Sequence, residues 1–189
     1  MPLLGCIPDR PFLGCPALAD LERLFGSDLV SGRRHRFRHY QMSDVKIITT
    51  SMTGFLEELR ARPGQRALYL THVTRDDIVL GFLGEHARLR RRGEDSEAAL
   101  VVCGRNDGQD LSPQIMDLLR DPDLVDAPVM IIGGTTHDAT EGMINLTPKL
   151  NIDDRGRVTK AVEHYEPYID FDLLLSRVSE EGKKFARGA

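Results

Sequence analysis

The sequence lacks the devices that staple a small protein, anchor it in a membrane or dedicate it to a polyanion. It has three cysteines in 189 residues, an odd and widely spaced set. That excludes a disulfide framework and fits a reducing compartment. No apolar run approaches the ~20 residues of a membrane helix. The start, Met1 to Gly5, has neither a basic region nor an apolar run long enough for a signal peptide. A formal net charge of −4 gives no general reason to expect a nucleic-acid partner. These absences predict a soluble, cytoplasmic protein with no membrane partner.

Standard catalytic patterns are absent too. There is no G-x-x-x-x-G-K-[ST] loop, no G-x-S-x-G and no H-E-x-x-H. Cys6 and Cys15 have no histidine near them and Cys103 stands alone, so no metal site is expected. Cys103 is read as a small packed thiol or, less simply, a nucleophile. His137 beside Asp138 has the types for acid–base work, but neighbours early in a helix point in different directions. No residue is assigned a catalytic role and no cofactor is required, although a nucleotide is a conceivable ligand.

What is present is an ordinary globular composition, 41% hydrophobic and 29% charged. A chain of this length buries roughly 70% of its unfolded surface and folds without staples. The chain alternates strand-like and helix-like segments. Leu3–Ile7 reads as a first strand, Ala17–Phe25 as a helix and Asp28–Ser31 as a brief strand. Val45–Ile48, Ala67–Leu70, Ala98–Val102 and Pro128–Ile132 are further strands. Helices follow from about Met52, from Thr74 (with Asp77 completing a capping box), from Ser112-Pro113 and, after Gly133-Gly134, through Ala139, Met143 and Leu146 with Thr135 to Asp138 crowding the start. Continuous apolar strands point to a sheet covered on both faces, hence a three-layer α/β/α sandwich with a mostly parallel sheet. We divide the chain into an α/β domain over 1–150, a C-terminal helical appendage of it over 151–179 and a frayed tail over 180–189.

Arg33 to Tyr40 is the most basic stretch. It suits a solvated loop or charged edge better than a phosphate-binding patch in an acidic chain, so nucleic acid is an unlikely partner.

Three strands end in similar polar segments. Leu70 runs into Thr71, His72, Val73, Thr74, Arg75 and Asp76. Val102 runs into Cys103, Gly104, Arg105 and Asn106. Ile132 runs into Gly133, Gly134, Thr135, Thr136, His137 and Asp138. In an open parallel sheet these ends share one edge, where ligands bind. Two readings remain: a pocket for a small anion, using helix N-termini and arginines, or the residues that strand-to-helix turns require in any case.

With these residues in place, the order of segments resembles the DRTGG domain from Leu4 to about Asp170. Gly5-Cys6-Ile7-Pro8 resembles the family's opening G-x-I-P. Pro63-Gly64 and Leu70 to Leu80 resemble its P-G…G-D-R-x-D-I-I-L segment, with Thr74-Arg75 in place of Asp-Arg. Leu100 to Asp107 resembles its I-x-L-T-G-G, with Cys103-Gly104-Arg105 in place of Thr-Gly-Gly. Pro128 to Leu146 resembles its P-V-L…D-T-x-x-T-A segment. The family occurs in the non-catalytic N-terminal part of long phosphate acetyltransferases, in pyrophosphatases regulated by CBS repeats, and as free-standing proteins. The resemblance implies a fold like the N-terminal domain of HPr kinase, homodimerisation and a regulatory task. It also implies either a free-standing protein or a part of a longer chain with a P-loop domain upstream, as in relatives named by analogy for cobyrinic acid a,c-diamide synthase. The alternative is an enzyme module that holds a phosphorylated small molecule at the strand ends.

Overall fold

The computed structural model describes residues 5–62, 64–104, 110–121 and 126–178. Contacts divide the chain into two compact units, Cys15–Pro148 and a second made of Met1–Gly14 with Lys149–Ala189.

The larger unit is built on five strands: β1 (Leu29–Ser31), β2 (Val45–Ile47), β3 (Ala67–His72), β4 (Ala98–Cys103) and β5 (Val129–Ile131). Their spatial order is β1-β5-β4-β3-β2. The β2–β3, β3–β4 and β4–β5 pairs are parallel, and β1 closes the β5 side as an antiparallel edge. Helices α1 (Leu18–Phe25), α2 (Met52–Ala61), α3 (Asp76–Arg91), α4 (Pro113–Arg120) and α5 (Thr136–Ile144) cover the sheet.

Alternation along the strands builds two cores. Ala67, Tyr69, Ala98, Leu100, Val102, Val129 and Ile131 face α2, α3 and α4 through Phe55, Leu59, Ile78, Val79, Phe82, Ile115 and Leu119. Leu68, Leu70, Ala99, Val101, Cys103 and Met130 face α1 and α5 through Leu18, Leu21, Ala139 and Met143. The architecture is the expected α/β sandwich. Every residue of β4 is buried, which is why this segment reads as an unbroken apolar run and not an alternating one.

Two local expectations are corrected. The chain start is not a strand of this sheet: of Leu3–Ile7, the described residues contribute one antiparallel bridge, Gly5 to Ile169, and Ile7 is exposed. The start of α3 is not capped by Thr74. β3 continues through His72, Val73 N–H still donates to the Cys103 carbonyl (2.7 Å), and Arg75 N–H closes a turn on the His72 carbonyl (3.0 Å). Thr74 therefore lies inside the turn, and Arg75 takes the N-cap position without a side-chain cap.

The basic stretch forms a short 3-10 turn, Arg33–His35, and loops. Each of its arginines has an intramolecular partner. Arg33 Nε donates to the Leu29 carbonyl (3.3 Å), Arg34 pairs with Asp126, Arg36 with buried Glu22, and Arg38 with Asp95 (2.7 Å). Three of its four arginine charges are paired with carboxylates within the fold.

The smaller unit contains α6 (Arg155–Tyr165), a 3-10 turn Glu166–Tyr168 around Pro167, and a helix α7 over 171–178. Asp154 caps α6 by accepting from Arg157 N–H (3.1 Å), and the Arg157 guanidinium donates to the Leu13 carbonyl. Among the described residues no helix is long and apolar enough to cross a membrane.

Candidate functional site

The three polar strand ends do meet on one edge, because β3, β4 and β5 are neighbours and parallel. His72 stands opposite Cys103 in register. Beyond β5, Ile132 N–H donates to the Val102 carbonyl (2.8 Å), which brings Gly133 to the same level. Arg105 and Asn106 lie outside the described residues.

The edge has two faces. Thr71 alternates with Ala67 and Tyr69, so it lies on the α2–α4 side. It is 1% exposed and its hydroxyl has no hydrogen-bond partner among the described residues. His72, Cys103 and Gly104 belong to the other side, with α5. Thr74 N–H donates to His72 Nδ1 (3.3 Å), and the Thr74 hydroxyl lies 2.9 Å from the same nitrogen. Nδ1 therefore accepts, which places the neutral ring's proton on Nε2. Gly104 has φ +107, and a Cβ there would fall 2.5 Å from that Nε2. Only glycine lets the backbone pass the ring this closely.

Arg75 is engaged rather than free. Its Nε and Nη2 hold both carboxylate oxygens of Asp77 (2.9 Å each), and Nη2 also reaches the Thr50 carbonyl at the end of β2 (3.2 Å). Hydrogen bonding to Arg75 holds the Asp77 carboxyl below its usual range. The guanidinium thus ties two strand-end segments together, and any anion meeting it shares it with Asp77. Asp76 is the first residue of α3.

The Gly133–Asp138 segment is chiefly a helix cap. Gly134 takes φ +75, which turns the chain off the strand. Thr135 then caps α5: its hydroxyl oxygen accepts from Asp138 N–H (3.1 Å), and the Asp138 carboxylate accepts from Thr135 N–H and hydroxyl (2.8 Å each). This reciprocal pair satisfies two of the helix's open donors. The bond from Thr135 N–H is the largest effect pulling the Asp138 carboxyl down, so the residue is a committed capping carboxylate and not a base for His137. His137 is exposed and Thr136 half-buried.

Cys103 is fully buried, and burial, reinforced by the Asp138 charge, pushes its thiol up to about 12. It is a packed neutral thiol at physiological pH. Among the described residues no three or more His, Cys, Asp or Glu side chains are grouped to hold a metal.

Two features escaped the sequence. Glu85 is 3% exposed on α3 and accepts from Arg60 of α2 (3.1 Å) and from Arg88 (2.9 Å). A carboxylate between Leu83 and His86 on an otherwise apolar stripe was its available signal. A cavity of about 310 Å³ also opens beside the segment leading into β4, at the opposite edge of the sheet, lined among others by Arg34, His86, Arg90, Asp95 and Asp126. Its residues are scattered through the sequence, so no motif marks it.

No family model matches the chain and no solved structure matches it. Against curated proteins it is 24% identical over 178 residues to phosphate acetyltransferase of Nitrosomonas europaea. The chain is distantly related to one region of phosphate acetyltransferase. The similarity takes in 94% of this chain but 24% of that enzyme, so the chain spans about a quarter of the length of the curated relative. The region reaches across both compact units.

Proposed function

We propose that the chain is a non-catalytic regulatory domain that senses a small anion at the carboxyl edge of its sheet and forms a homodimer. The observation that carries this reading is the similarity itself: nearly all of the chain corresponds to a quarter of an acetyltransferase. That fits the resemblance to the DRTGG domain found in the non-catalytic part of such enzymes. The edge chemistry supports it. Cys103 is a buried neutral thiol, Asp138 is committed to a cap, and the Arg75 charge is shared with Asp77. These groups position backbone rather than activate a nucleophile. The Thr136 and His137 amides at the start of α5, with Arg75 Nη1, which makes no hydrogen bond among the described residues, are the donors that remain for an anion there.

A thermal-shift series with ATP, AMP, NADH, acetyl phosphate and inorganic phosphate, paired with sedimentation, tests this. Saturable stabilisation that is lost in Arg75→Ala supports the edge site. A shift by no ligand removes the sensing role, and a strict monomer at high concentration removes the dimer. The second reading, an enzyme module holding a phosphorylated substrate at the same edge, is favoured only by the meeting of three polar strand ends there. It requires turnover of the stabilising ligand.

A further inference from the structure

The smaller unit holds a cavity of about 480 Å³, within the range of small-molecule sites. Arg10, Phe12, Lys160, Glu163, Pro167 and Tyr168 are the part of its lining that carries chemistry. We propose that this cavity binds a small anion bearing a flat ring.

Two cations, Lys160 and Arg10, line it. Lys160 Nζ sits 4.4 Å from the centroid of the Phe12 ring, close enough for a cation–π interaction that holds an otherwise mobile ammonium in place. Neither Lys160 nor Arg10 has an ion-pair partner among the described residues. Arg10 is anchored differently. Its Nε donates to His164 Nδ1 (3.4 Å), and His164 Nε2 contacts the Pro8 carbonyl (2.7 Å). A carbonyl can only accept, so the ring proton is on Nε2 and Nδ1 is left to accept from Arg10. The neutral imidazole steers the guanidinium without neutralising it, and both Nη groups stay available to a phosphoryl or carboxylate group.

The walls select the rest of the ligand. Phe12, Pro167 and the Tyr168 ring, which stands edge-on to His164 at 5.6 Å, give apolar surface for a planar group. Glu163 provides an acceptor for a hydroxyl or amine on the same ligand. The basic stretch makes a useful contrast: Arg34, Arg36 and Arg38 are each paired with a carboxylate, whereas these two are not.

The test uses the full chain and three probes in titration calorimetry: phenylphosphonate, methylphosphonate (the anion without the ring) and benzyl alcohol (the ring without the anion). We expect saturable binding of phenylphosphonate, with the other two weaker by about tenfold or more. Lys160→Gln and Tyr168→Leu, both at exposed positions, should each weaken phenylphosphonate by a similar factor, while Lys46→Gln, which does not line the cavity, leaves it unchanged. No binding of phenylphosphonate, equal binding by Lys160→Gln, or loss in Arg75→Ala with retention in Lys160→Gln would overturn the assignment. The last outcome would move the ligand to the sheet edge.

Discussion

Gly104 and His72 interlock: the space a Cβ on Gly104 would fill is 2.5 Å from His72 Nε2, and the Gly104 backbone is at φ +107. The two residues pin the end of β4 to the end of β3. Gly104→Ala combines a collision with a backbone that L-residues rarely adopt, so it should destabilise by about 1–3 kcal/mol in urea denaturation. His72→Ala in the same chain should recover the steric part and leave the backbone part. Full additivity of the two substitutions would contradict the interlock.

Thr135 and Asp138 test whether the α5 start is a cap before it is anything else. Thr135→Ala should cost about 1 kcal/mol, Asp138→Ala should also destabilise, and the double variant should cost less than the sum, because each removes the same reciprocal pair. Additive losses would mean that the two residues act separately.

Acid should act through His86 and Glu85 in different windows. Burial, with Arg38 next, pushes His86 from 6.5 to about 4. Its folded value lies below its unfolded one, so stability is lost as pH falls from about 6.5 towards 4, by up to ~3 kcal/mol. Glu85 is held below 4.5 first by its bond to Arg88, so its contribution is present above that value and lost as pH falls through the depressed one. His86→Leu should flatten the first loss and leave the second. An unchanged pH–stability curve would contradict the assignment.

Glu85→Gln should cost about 1–2 kcal/mol at neutral pH, since the buried group gives up charge-assisted bonds to Arg60 and Arg88. Arg60→Gln should cost less, because its side chain is more than half exposed. The reverse order in denaturation would show that the carboxylate is not the centre of the pair.

Thiol accessibility separates the cysteines. Cys6 is exposed, while Cys15 and Cys103 are buried. An aromatic disulfide reagent at neutral pH should label one thiol rapidly in the native protein and all three on unfolding. Rapid native labelling of Cys103 would reopen it as a nucleophile.

The sequence carries the layer architecture well, because β3, β4 and β5 are long enough or apolar enough to declare themselves and the helices between them have clear stripes. It also places the strand-end loops on one edge, which follows from parallel connectivity alone. It is less informative where a residue has two competing partners. Thr74 looks like a cap until the extra length of β3 turns its hydroxyl to His72. Leu3–Ile7 looks like a strand, but apolar content does not say whether a sheet has room for it. Whether Arg75 is free or paired with Asp77 depends on a rotamer, and no spacing rule states it.

The most direct test of the proposed role is a titration of isotope-labelled protein with ATP, AMP and inorganic phosphate, followed by amide NMR shifts. The account predicts saturable shifts centred on Thr71–Asp76, Cys103–Gly104 and Gly133–Asp138, lost in Arg75→Ala and without turnover of the ligand. Saturable binding that leaves those amides unmoved, or steady conversion of the ligand, would contradict it.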